Sequence, residues 1–89
     1  SGQYTSTVKI TRTEMVDKLE SAGDAVLTVN FDKQDGNNRT LIGHLVSSEP
    51  KMGRSNVVDL EVTTGHNGRQ VDHRTLNWLV LKGTRYTVK

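Results

Sequence analysis

Hydrophobic positions recur along this chain with two different periods. Between residues 12 and 22, Met15, Val16, Leu19 and Ala22 fall at three- and four-residue intervals, the spacing of one apolar helical stripe. Arg12, Asp17, Lys18 and Glu20 lie on the other side and are expected to face water. Thr11 and Glu14 stand at capping-box spacing, with Thr13 as the competing cap, and Gly23 sits where a left-handed turn can end the helix. Beyond Gly23 the period shortens to two. Residues 25–31, Ala-Val-Leu-Thr-Val-Asn-Phe, put Ala25, Leu27, Val29 and Phe31 on one face of a strand. Residues 33–38 contain Asp-Gly and Asn-Asn and predict a turn, and residues 39–46 return as a second strand with Gly43 as a bend or bulge. Residues 47–55 read as a loop. Residues 56–62 form a third strand with Val58, Leu60 and Val62 facing inward, which leaves Val57, Asp59 and Glu61 on the wet side. After a turn over 63–68, Gln70 and Val71 open a fourth strand, which 73–75 interrupt with a helical turn and Leu76 to Leu81 continue. Lys82-Gly83 makes the last tight turn before a fifth strand over 84–88.

One N-terminal helix and five short strands predict a mostly β fold, a small five-stranded SH3-like or Sm-like barrel. The alternative is an open α+β sheet with one helix. Closing the sheet removes exposed edges, which favours the barrel in a chain this small. Residues 1–10 read as a flexible N-terminal arm that docks through Val8 and Ile10, and residues 11–89 as a single domain. The expected core comprises Met15, Leu19, Leu27, Val29, Phe31, Leu41, Leu45, Val58, Leu60, Leu79 and Val88, with the lone Trp78 also more at home inside than out.

Composition narrows the chemistry. Cysteine is absent from the 89 residues, which excludes disulfides, thiol nucleophiles and thiolate metal sites. No apolar run is long enough to span a bilayer, so the chain is expected to be soluble and cytoplasmic, with no membrane partner. No Gly-x-Ser-x-Gly elbow, P-loop or Gly-x-Gly-x-x-Gly loop occurs, so no enzyme activity and no cofactor are expected. His44, His66 and His73, with Asp72, are the borderline metal ligands; His66 and His73 lie seven apart, a spacing that fits no recognised site, and all read as ordinary histidines.

Charge separates along the chain. Residues 1–36 carry four basic and six acidic side chains, residues 37–89 eight basic and four acidic, for a net charge of +2. The basic half is rich in arginine. Arg39, Arg54, Arg69, Arg74, Lys82 and Arg85 fall on strand ends or loops, where they can reach phosphates, and Tyr86 is a stacking candidate beside them. RNA or single-stranded DNA is therefore the first expected partner. The second is a host protein, or another copy of the chain, pairing with a barrel edge at residues 57–62 or 84–89.

The run Phe31-Asp-Lys-Gln-Asp-Gly-Asn-Asn-Arg39, followed by Leu41 and Gly43, resembles a hairpin of small bacteriophage-encoded Sm-like or SH3-like barrel proteins, themselves similar to the WYL-type barrels of bacterial regulators. Val57, Val58, Asp59, Leu60, Arg69, Val71, Asp72, Leu76, Leu79, Gly83, Tyr86 and Val88 extend the resemblance, which covers residues 25–88. The related barrels carry an aromatic beside the position of Arg69, where this chain has Gln70, and a second basic residue after the central Asp, where His73 and Arg74 follow Asp72. The resemblance implies a phage origin, a barrel fold, and roles for Arg69 and Arg74 in sensing nucleic acid or a nucleotide. Its alternative implication is an accessory protein that modulates or inhibits a host protein.

Overall fold

The computed structural model describes residues 4–62, 65 and 68–89. The chain runs β1 (Ser6–Ile10), α1 (Arg12–Glu20), β2 (Leu27–Asp32), β3 (Asn38–Glu49), β4 (Arg54–Asp59), β5 (Gly68–Asp72), β6 (Leu76–Leu81) and β7 (Thr84–Val88), with 3₁₀ turns at Pro50–Met52 and His73–Thr75. Seven strands form one sheet in the order β1-β7-β6-β2-β3-β4-β5. The fold is thus mostly β with one helix, and the open sheet describes it; the expected five-stranded closure is not what pairs. Two differences raise the strand number. The stretch expected to be one interrupted strand is two: β5 pairs with β4, whereas β6 pairs with β2 and β7. In addition, Ser6–Ile10 is a strand, running parallel to β7 and burying Ile10.

Strand β3 organises the sheet. Its first half, Asn38 to Gly43, pairs with β2, and its second half, Gly43 to Glu49, pairs with β4. One leaf is therefore β1-β7-β6-β2 with the start of β3, and the other is the end of β3 with β4 and β5. A strand shared by two leaves is the usual way a sheet turns a corner. Gly43 sits at the corner, opposite both Leu27 and Asp59. A Cβ there would stand 1.8 Å from the Val58 carbonyl oxygen, so the close backbone approach requires glycine. The bulge expected near Gly43 comes slightly later, between Leu45 and Ser47.

The core lies between the leaves and the helix. Met15 and Leu19 of α1 meet Leu27, Val29, Phe31, Leu41, Val57, Val71, Leu76, Leu79 and Leu81, with Leu45, Tyr86 and Val88 packed partly against them. Thr11, not Thr13, caps α1: its hydroxyl accepts from the Glu14 N–H and its own N–H donates to the Glu14 carboxylate. Arg12, expected in water, instead donates to the carbonyls of His73 (3.1 Å) and Leu76 (2.6 Å) and ties the helix to the β5–β6 connection.

Strand β4 is in the opposite phase to the one expected. Ser55, Val57 and Asp59 point inward, Val58 is half-buried on the outside, and Leu60 is exposed in the turn that follows. Leu60 and Val62, which favour the expected phase, lie beyond the end of the observed strand, and within it each phase holds a single valine. The choice falls to Asp59, which is buried against Arg39 and accepts the Glu61 N–H. A shift of one residue moves every side chain to the other face. Strands β4 and β7, expected as open edges, are both interior; β1 and β5 are the edges.

Candidate nucleic-acid interface

Arg39 enters from β3, Arg54 from the start of β4, Arg69 from β5 and Arg74 from the 3₁₀ turn His73–Thr75. All four line one open cleft of about 710 Å³, which the β2–β3 turn closes on one side with Asp32, Lys33 and Asp35. Phe31 and Met52 supply apolar wall, and the Met52 side chain is freely exposed. Two short connections create the gathering. The turn after Met52 starts β4 beside the end of β5, so Arg54 pairs in register with Asp72, two residues from Arg74. Asp72 then caps the 3₁₀ turn by accepting the Arg74 N–H, which aims the Arg74 side chain at the same place.

Each of these cations has a fixed neighbour. The Arg39 Nη2 donates to the buried Asp59 carboxylate at 2.6 Å, while its Nε is buried with no hydrogen-bond partner among the described residues. Arg54 grips Glu49 through Nε and Nη2 at 3.4 and 3.3 Å. Arg74 meets Asp72 through Nη2 at 3.0 Å, and Arg69 donates to the Gly68 carbonyl. The Arg74 side chain, then its backbone N–H, holds the Asp72 carboxyl below the usual carboxylate range. Arg54 and then Asn56 do the same for Glu49. The carboxylates hold the guanidinium groups in place at the cost of weakening the cleft's positive field. An anion that binds here competes with exposed, water-screened ion pairs, which are weak and exchange readily. Planar guanidinium forks suit the tetrahedral oxygens of a phosphate.

Lys82, Arg85 and Tyr86 line no part of this cleft. They belong to the β6–β7 hairpin, where Lys82 takes a positive φ of 51° in the turn. The Arg85 guanidinium lies 4.6 Å from the centroid of Trp78 and 5.5 Å from that of Tyr4, and the half-buried Tyr86 ring packs on the core beneath the Lys18 ammonium. Trp78 is half-buried on the sheet face away from the core. A bulge in the β2–β6 pairing, where Leu76 and Trp78 face successive residues, sends Leu76 inward and leaves Trp78 outside. No periodic pattern signals that bulge. Asp59 was also hidden, because it is legible as an inward residue only once β4 has its phase.

His66 lies outside the described residues. Among the described residues no group of three His, Asp or Glu side chains comes together as a metal site, and no helix is long and apolar enough to cross a membrane. Compared with protein families, with curated proteins and with solved structures, the chain matches none.

Proposed function

We propose that this chain is a non-enzymatic domain that binds the phosphates of RNA, single-stranded DNA or a nucleotide in the arginine cleft. The observation that carries this reading is the convergence of Arg39, Arg54, Arg69 and Arg74, from four separate elements, on one cavity. Arg54, Arg69 and Arg74 make the phosphate contacts, and Arg39, tied to the buried Asp59, holds the wall. The curled sheet is taken as a variant of the small SH3-like or Sm-like barrel, supported by β3 running through both leaves. A phage origin and action in the host cytoplasm follow from the same resemblance.

Fluorescence anisotropy with labelled single-stranded RNA, single-stranded DNA and duplex tests the reading. Log affinity should fall linearly with log salt, with a slope of about −0.7 per phosphate contacted on a single strand, and so about −2 for three contacts. The triple variant Arg54→Gln, Arg69→Gln, Arg74→Gln should abolish the signal, and Arg85→Gln should leave it in place. A flat trace for the unaltered protein at low salt refutes the proposal.

A further inference from the structure

The sheet face turned away from the core carries its own apolar patch. Register places Arg85, Val80, Thr28 and Ile42 in one row across β7, β6, β2 and β3, and the Ile42 carbonyl accepts the Leu60 N–H, which extends the row by one residue. Val80 is buried to 5% exposure although it stands apart from the core cluster, and Leu60 remains 45% exposed. Trp78 flanks the row. With strands about 4.8 Å apart, the four paired strands span roughly 14 Å, the width of a short docked segment.

Arg85 stands at the end of this row, against two rings. Its guanidinium lies over Trp78 and over Tyr4, and the Tyr4 hydroxyl accepts from Nη1 at 3.0 Å. Its Nε is buried with no hydrogen-bond partner among the described residues. The rings fix the side chain in advance, so little rotamer freedom remains to be lost when a partner arrives. Tryptophan, tyrosine and arginine beside aliphatic side chains are what the energetic centres of protein interfaces are made of. The charge of the face is one-sided. Lys9, on β1 next to Thr87, adds a second cation near Arg85. The carboxylate on these strands' outer face, Asp32, lies at the opposite end and accepts from Asn38 and Asn77.

We infer that this outer face docks a protein segment that presents a carboxylate to Arg85 and aliphatic side chains to Ile42 and Leu60. A nucleic acid suits it less well. Arg85 already lies over both rings and competes with a stacking base, and the neighbouring Ile42 and Leu60 are aliphatic. The inference is independent of the arginine cleft and stands or falls separately from it.

The test is selection from a displayed random dodecapeptide library on the full-length protein, followed by titration of one synthetic selected peptide. Trp78 is the chain's only tryptophan, so its emission reports binding at this face directly. The selected peptides should be rich in Asp or Glu beside Leu, Ile or Val and should shift the Trp78 emission. Arg85→Gln and the exposed Leu60→Ser should each weaken binding tenfold or more, and the triple cleft variant should not change it. The far-ultraviolet spectra of both variants should match the parent, which separates lost docking from lost folding. The inference is overturned by no enrichment over an unrelated control protein, by peptides without acidic bias, or by binding indifferent to Arg85→Gln and Leu60→Ser. It is equally overturned if Arg85→Gln abolishes single-stranded nucleic-acid binding and leaves the peptide bound.

Discussion

His73 sits where three elements meet. Its Nε2 is 2.6 Å from the hydroxyl of the fully buried Ser55, its N–H donates to the Gly53 carbonyl, and its own carbonyl accepts from Arg12 of the helix. Burial pushes the imidazole pKa below its ordinary 6.5, and the carboxylates of Glu20 and Asp72 offset only part of that shift. The sign of the consequence follows from linkage. Above pH 6.5 the ring is neutral in both the folded and the unfolded chain, and its contribution is fully present. As pH falls below 6.5 the unfolded chain takes up a proton that the folded one resists, so stability declines until the folded pKa is reached. The urea midpoint should therefore drop between pH 7.5 and 5. His73→Gln, which keeps an amide for Ser55 but cannot charge, should flatten that slope. Glu49 and Asp72, whose pKa values lie below the ordinary 4.5 and 3.8, lose their stabilisation only at lower pH. The two windows are separable in one titration. His73 was legible as part of a helical turn, but its partner was not, because Ser55 lies eighteen residues away and faces inward only in the β4 phase that folding selects.

Strands and helix differ in how much of them could be read. Helix α1 ends within two residues of its expected limit, and its cap is a local device: Thr11 and Glu14 find each other within one turn whatever surrounds them. Strand β4 is the contrary case. Its phase differs from the expected one because Leu60 and Val62, which align with Val58, fall beyond the strand, whereas the Arg39–Asp59 pair across the corner turns Val57 and Asp59 inward. The corner itself supplies the prediction at this scale. Gly43→Ala would drive a methyl group into the Val58 carbonyl, and neither backbone can move without disturbing the pairing with Leu27 or Asp59. We expect a loss of about 3 kcal/mol, at the upper end of overpacking costs, measured by urea denaturation. A change below about 0.5 kcal/mol, the range of an ordinary surface substitution, would mean that the corner opens enough to admit a methyl group.

For the molecule as a whole, the two leaves share one core. Val57 and Val71 come from the β4–β5 leaf and belong to the same cluster as Leu27, Leu79 and Leu81 of the other, with Met15 and Leu19 of the helix. Neither leaf has a separate interior to retain when its neighbour opens. Unfolding in urea followed by Trp78 fluorescence, which reports on one leaf, should coincide with unfolding followed by far-ultraviolet circular dichroism, which reports on both. Separate midpoints would show that the β4–β5 leaf melts alone. What the sequence determined by itself was local: the helix and its cap, the turns between β2 and β3 and at Lys82-Gly83, the period-two strand that ends near Phe31, and an arginine-rich second half. These depend on neighbours within a few residues. Only the tertiary structure decided the phase of β4, the split of the fourth strand into β5 and β6, and the pairing of Ser6–Ile10 with β7. It also decided which cations share a cleft, bringing Arg39 and Arg74 to one cavity and setting Arg85 against Trp78 on the other side of the sheet. The physical reason is that each depends on contacts between residues tens of positions apart, and periodicity carries no record of such distant partners.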